Sequence, residues 1–420
     1  MESLDAARQL IGHTLAFHII IVALSIGLPI LMSIFEWRAW RKNDYRMRAT
    51  VKLLARWAAV FVIGGIFTGT AVALQLSTLW APYLNEVRPN VGIFFQLESY
   101  MFLVEAVFLS WYFATMHQVG TRKHFLISLP ISVGTIGSAF FITAVNAYMN
   151  NPSATFTTTT WLELSHSVFS YIFATFMLVL GYAAWRSLRK QPKPTKEFLQ
   201  TLIGRLAIYS GVLLVILAVL GHQSAVNLAT TQPNKLAAIE ILDKTQTNAP
   251  LRIGGSINDQ GEAEGGLVLP GMLSVLVGYD NDTEVKGLNE TPRHQWPLLV
   301  VHTLFDLKMI LIGIVSAIVL IVTVLYLRKK DIPKWLRASL VPLSVTGFIL
   351  VELGWLITEF GRQTWTVVGR QTTADALTNG ADIKGSLIIF IVLLVVLSFS
   401  TLFALAYTTR HWRATEKLSW

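Results

Sequence analysis

The chain has 420 residues, of which 53% are hydrophobic and only 14% charged, a balance that excludes an ordinary water-soluble enzyme domain. It contains no cysteine, which excludes disulfides, thiolate metal sites and iron–sulfur clusters. The formal net charge of +9 is spread over the connecting segments rather than gathered into one patch, which argues against nucleic acid as a partner.

Several apolar runs reach about 20 residues, enough for a helix to cross the roughly 30 Å hydrocarbon layer of a bilayer. The alternation expected of a β-barrel is absent. Nine spans are predicted at 11–35, 53–79, 91–116, 125–149, 161–185, 201–221, 297–327, 338–359 and 384–409. The fold class is therefore all-α, a polytopic membrane helical bundle forming one domain over residues 1–420. The first ten residues show neither a basic n-region nor a small-residue cleavage site, so the first span reads as a retained helix. Segments 36–52, 117–124, 186–200, 328–337 and 410–420 together carry 21 Lys and Arg. The opposite set, 1–10, 80–90, 150–160, 222–296 and 360–384, carries 10 over a greater length. The positive-inside rule then puts the N-terminus outside and the C-terminus in the cytoplasm.

Along the chain, the first ionisable group at depth is His18, which serves either as a hydrogen-bonding side chain or as an iron ligand. His13 reads as an interfacial polar residue. The third span holds Glu98 and Glu105, seven residues or nearly two turns apart and so on one face. They are either protonated carboxyls bonding across helices or a cofactor-proximal carboxylate (Glu98) with a deeper proton relay (Glu105). His166 lies two turns into the fifth span. The long polar segment 222–296 begins with an ordered-looking Gln232–Glu240, containing Lys235 and Glu240, and continues through a glycine-rich stretch, Gly254–Gly266, expected to be mobile. Met309 in the seventh span is a packing residue or, paired with His166, the second ligand of a six-coordinate low-spin haem; His302 is the alternative ligand. The eighth span carries Glu352, a candidate proton carrier, and ends in Gly354-Trp355-Leu356-Ile357-Thr358-Glu359-Phe360-Gly361-Arg362-Gln363-Thr364-Trp365. Glu359 and Arg362 either pair with each other or act on a cofactor.

That last stretch resembles the GWxxxExGRQPW signature of subunit I of cytochrome bd-type quinol oxidases, with Thr364 in the place of the proline. The contexts of His18, His166, Met309 and Gln232–Glu240 resemble the same family, so the resemblance covers most of the chain. It implies three haems. His166 and Met309 would ligate a low-spin haem b. His18 would be an axial ligand at the oxygen-reducing pair, formed by a high-spin haem b and a haem d or further haem b. Glu98 would lie near that pair, and Glu359 would ligate one of its irons. Arg362 would meet a haem propionate and Trp355 would pack between haems. Lys235 and Glu240 would bind quinol, making 222–296 an extracytoplasmic quinol-binding loop. The chain departs from the family at the Glu98–Glu105 spacing, one residue shorter than usual, and at Gly221-His222-Gln223, which replaces a Gly-Asp.

The function implied is oxidation of membrane quinol and reduction of O2 to water, non-copper and electrogenic, in the cytoplasmic membrane of a prokaryote. A haem-free second membrane subunit, small single-helix subunits and lipid are the partners implied. Two other readings stand beside it: a haem-binding electron-transfer or assembly paralogue without O2 reduction, and a haem-free proton-coupled transporter. The absorbance spectrum of the reduced protein separates them.

Overall fold

Helices account for nearly all of the chain, because a backbone surrounded by lipid must satisfy its N–H and C=O groups internally. The computed structural model describes residues 2–153, 155–378 and 383–415; Met1, Ala154, 379–382 and 416–420, which the predicted domain includes, lie outside the described residues. The long helices are α1 (Glu2–Lys42), α2 (Tyr45–Thr78), α3 (Ala81–Ala114), α4 (Arg122–Asn150), α5 (Thr158–Leu188) and α6 (Lys193–Thr231). After the short α7 (Pro233–Ile239) and α8 (Met272–Gly278) come α9 (Val300–Leu327), α10 (Lys334–Leu343), α11 (Thr346–Phe360) and α12 (Ile383–Thr415). Among the described residues, nine segments are long and apolar enough to cross a membrane, α10 and α11 together forming the eighth. This matches the predicted count. Most helices are longer than their predicted spans, although α9 begins three residues late; α6 extends ten residues past 221, since polar residues at a membrane surface continue a helix that hydropathy no longer marks.

Local chemistry sets the helix starts. Asp44 caps α2 by accepting from the N–H groups of Arg46 and Met47 at 3.0 and 3.2 Å. Thr157 and Thr160 form a reciprocal capping box at α5. The interruption between α10 and α11 follows Pro342, which cannot donate into the helix ladder. There Ser344 and Val345 bond back only three residues, to Val341 and Pro342.

Small residues let the helices close on one another, as packing in lipid requires. A Cβ on Gly181 of α5 would lie 2.2 Å from Ser344 Cβ, and one on Gly347 of α11 would lie 2.6 Å from Ala174 Cα. One end of the bundle is basic and pinned by side chains. Arg38 donates to the Tyr209 hydroxyl at 2.7 Å, and buried Arg337 donates to the Ser187 carbonyl at 2.8 Å. At that end Glu36, fully buried, accepts from the Tyr112 hydroxyl and the Gly120 N–H, each at 2.6 Å, and faces His124 Nδ1 at 3.2 Å.

The connection between α6 and α9 carries secondary structure of its own. It holds α7, α8 and two antiparallel ladders, β1 (Leu251–Ile253) with β4 (Leu267–Leu269) and β2 (Ser256–Ile257) with β3 (Ala263–Glu264). A third ladder, β5 (Trp365–Val367) with β6 (Gln371–Thr372), follows α11. The stretch Gly254–Gly266, expected to be mobile, supplies β2 and β3 and the turns around them. Its glycines take left-handed turns that join the two ladders: Gly266 has φ +74°, and a Cβ there would meet the Gly254 carbonyl at 2.2 Å. Leu236, Ile239, Leu242, Leu273 and Leu288 give the connection a small core of its own, closed by Val301 of α9 and Ile357 of α11.

Candidate functional site

A cavity of about 1340 Å³ opens at the end of the bundle that bears this folded connection. It is larger than the roughly 300–1,000 Å³ that holds one drug-sized ligand. Its walls come from the first halves of α1, α3, α5 and α9, the last halves of α2, α4 and α6, and the length of α11, so successive helices deliver their ends to one place. His18, His166, Lys235, Glu240, Met309, Trp355, Glu359 and Arg362 all line it. Eight of the ten residues singled out from sequence thus share one space.

His18 is oriented from behind. Its Nδ1 lies 2.8 Å from the Thr68 hydroxyl, which itself donates to the Gly64 carbonyl at 2.9 Å. The hydroxyl must therefore accept from Nδ1–H, which leaves the Nε2 lone pair of His18 available as a ligand. His166 Nδ1 is buried without a hydrogen-bond partner. Met309, on α9, is 43% exposed, and it lines the cavity together with its neighbour Lys308. Among the described residues no three His, Cys, Asp or Glu side chains converge on a bare metal ion. Iron held here needs most of its ligands from a macrocycle, with single axial ligands from the protein, and a haem has that coordination.

The carboxylate end of the site is a hydrogen-bonded network. Glu359 is ion-paired with Arg362 and accepts from Asn146 Nδ2 at 3.3 Å. Asn150 Nδ2 donates to Asn146 Oδ1 at 3.0 Å and to Glu163 Oε1 at 2.9 Å. Arg362 Nε and Nη1 are buried and unpartnered, donors left over for further acceptors. The pairing of Glu359 with Arg362 raised from sequence is thus present. Because both Glu359 oxygens are engaged, binding iron would require one of these bonds to be released. Arg8 donates to Gln363 Oε1 at 3.1 Å and ties α1 to the segment after α11.

The second pole is α7. Lys235 and Glu240 are buried, at 6% and 4% exposure. Burial pulls the Lys235 ammonium down to about 8, opposed by Glu163, reinforced by Arg362 and opposed again by Glu359. Burial, and then the charge of Asp306, push the Glu240 carboxyl up to about 8. His302 is not free to ligate iron. Its Nδ1 lies 2.7 Å from the Ile239 carbonyl and its Nε2 3.1 Å from that of Gly254. With Asp306, which accepts from the Gly254 N–H at 2.7 Å, it clamps the connection onto α9 and sets the residue preceding Glu240.

Glu98 and Glu105 stand apart. Both lie on α3 against α4: Ser138 donates to Glu98 at 3.0 Å, and a Cβ on Gly134 would lie 3.1 Å from Glu105 Cβ. The shared face read from their spacing is present, but neither residue lines the cavity with His18 and Glu359. Glu105 Oε1 is buried without a partner, and so is Glu352 Oε1 on α11. Sequence reasoning missed Glu163, Asn146, Asn150, Lys308 and Thr68. Glu163 and Lys308 carried a signal, an ionisable residue within a predicted span. The asparagines and Thr68 carried none.

Comparison with known proteins agrees with this geometry. Over the whole chain, 30% of residues are identical to a Bacillus subtilis (strain 168) protein provisionally named subunit I of a cytochrome bd menaquinol oxidase, 99% of which is covered. Subunit 1 of the cytochrome bd ubiquinol oxidase of the same organism is 26% identical over 93% of this chain and 89% of its own. The solved structure of the bd oxidase from Geobacillus thermodenitrificans superposes with a TM-score of 0.89 at 28% identity, covering 97% of this chain and 98% of that one. The family description for cytochrome bd terminal oxidase subunit I matches residues 6–413, and the chain belongs to that family.

Proposed function

We propose that the chain is the haem-bearing subunit of a quinol oxidase that reduces O2. The observation that carries this reading is the single cavity lined both by the buried Lys235 and Glu240 and by the candidate iron ligands His18, His166, Met309 and Glu359. The donor set fits three haems: His166 and Met309 for a low-spin haem b, His18 and Glu359 for a high-spin haem b and a haem d or further haem b. When bound, the haems supply one-electron redox chemistry and an open iron position for O2.

The protein's own groups do the rest. Lys235 and Glu240 bracket the quinol hydroxyls, the ammonium as hydrogen-bond donor and the carboxylate as proton acceptor. The Arg362 guanidinium would hold a propionate, Thr68 bonds His18 Nδ1 and leaves Nε2 for iron, and Trp355, which lines the cavity, would pack against the haems. Glu98 and Glu105, on the α3–α4 seam, supply a route for protons consumed in O2 reduction. With the basic end in the cytoplasm, quinol protons leave outside and charge is separated without a pump. The exposed apolar faces of α9 and α12 would meet lipid and a haem-free second subunit, with small single-helix subunits alongside.

The test is the dithionite-reduced absorbance spectrum of the purified complex, with and without CO, together with quinol-dependent O2 uptake. A low-spin b signal, a CO-reactive species and quinol oxidation are expected. His166→Ala should remove the low-spin signal and quinol turnover while the protein still inserts. The absence of any Soret band would leave the transporter reading, and a low-spin signal without CO reactivity would leave the electron-transfer paralogue.

A further inference from the structure

Oxidation of one quinol breaks two O–H bonds and releases two protons with its two electrons. Glu240 accepts one proton at a time, so a second acceptor is needed near the same substrate. Glu163 faces the same cavity from α5, three residues before His166 and therefore on the same side of that helix. Its strongest charge partner is Lys235, and Glu163 is likewise the strongest charge partner of Lys235. Asn150, the last residue of α4, donates to Glu163 Oε1 at 2.9 Å and leaves its own Oδ1 buried without a partner. Beyond Asn150 lies the polar connection that starts at Asn151 and reaches the surface at exposed Ser153.

We propose that Glu163 is the second proton acceptor of quinol oxidation, placed between Lys235 and the Asn150 end of α4. This rests on the quinol oxidase reading. In the balanced step, both quinol C–O bonds become C=O. One proton passes to the Glu240 carboxylate and one to the Glu163 carboxylate. The two electrons would leave one at a time to the haem that His166 and Met309 would hold, and both carboxyls then release their protons to water at the mouth of the cavity. The groups facing Glu163 are Lys235 from α7, Asn150 from α4, Glu359 from α11 and Arg362 from the turn that follows α11. Of these, Lys235 and Arg362 are cations and Glu359 is a carboxylate, so Glu163 takes up its proton beside charges of both signs.

The experiment compares wild type, Glu163→Gln and Glu163→Asp in the intact complex, following haem content, O2 uptake driven by quinol and by an artificial one-electron donor that releases no protons (tetramethylphenylenediamine with ascorbate, corrected for the enzyme-free rate), and the redox-induced infrared difference spectrum. For Glu163→Gln we expect full haem content, unchanged uptake with the artificial donor, quinol turnover lower by about 100-fold, the low end of general-base contributions, and loss of one carboxyl band. Glu163→Asp should recover part of the turnover and shift its pH profile. Unchanged quinol turnover in Glu163→Gln overturns the proposal. An equal loss with the artificial donor also overturns it, because Glu163 would then serve the structure. If Glu163→Gln does not retain haem, Glu163→Asp decides: a wild-type pH profile overturns the proposal and a shifted one supports it. A wild-type complex that oxidises no quinol would instead remove the quinol oxidase reading itself.

Discussion

Thr68 sets the proton position on His18. The imidazole Nδ1–H is donated to a hydroxyl whose own hydrogen is already committed to the Gly64 carbonyl, so one rotor on α2 decides which nitrogen of the α1 histidine is free.

Thr68→Val, of nearly the same shape, should keep the fold and lose this orientation. Outer-shell partners of metal-bound histidines are typically worth 10–100-fold in metal affinity or activity. We expect depletion of one high-spin haem and a fall of about 10-fold in O2 reduction, with the His166/Met309 haem still reducible. Haem quantitation and the CO-difference spectrum check this; unchanged occupancy and rate would show that His18 needs no such support.

Quinol turnover should be bell-shaped in pH, peaking near 8. Glu240 accepts a proton only when ionised, and its raised value near 8 makes activity climb as pH rises toward 8. The Lys235 ammonium, lowered to about 8, loses its charge above that pH and produces the falling limb. Glu240→Gln should abolish the rising limb with all haems retained, and Lys235→Arg should move the falling limb upward. A flat wild-type profile between pH 6 and 9 would refute the assignment. The Glu240 shift also has a stability sign: its folded value lies above the ordinary 4.5, so it stabilises the loop below 4.5, and that contribution is lost as pH climbs to about 8.

Glu36→Leu should be severely destabilising, although it lies far from any proposed ligand in the sequence. It strands the Tyr112 hydroxyl, the Gly120 N–H and His124 in the interior. Each buried donor left without an acceptor costs about 1–3 kcal/mol. A thermal melt of the detergent-purified protein measures it, and a midpoint within a degree of wild type would contradict the buried network.

The bundle was legible because lipid imposes a coarse rule: about 20 apolar residues make a span. His18, His166 and Glu359 were legible as candidates because ionisable groups stand out in apolar spans, whereas Lys235 and Glu240, in a polar segment, were picked out only by the resemblance of Gln232–Glu240 to the family. The folded connection was not. Its strands are two or three residues long and its order comes from turns and a small core of distant leucines, which show no periodicity. His302 illustrates a second limit. An imidazole in a span looks the same whether it meets iron or two carbonyls, and only its contacts with Ile239 and Gly254 decide. Glu98 shows a third: helical spacing placed it correctly beside Glu105, but not the direction that face takes in the bundle.

The contact between Gly347 and Ala174 brings α11 against α5 almost backbone to backbone. These two helices carry Glu359 and His166, so the separation of the helices that present them is set by main-chain van der Waals radii rather than by adaptable side chains. On the proposed reading, in which each of the two residues would hold a haem, tunnelling rates fall exponentially with distance, and a helix contact that cannot stretch would hold the electron-transfer gap steady.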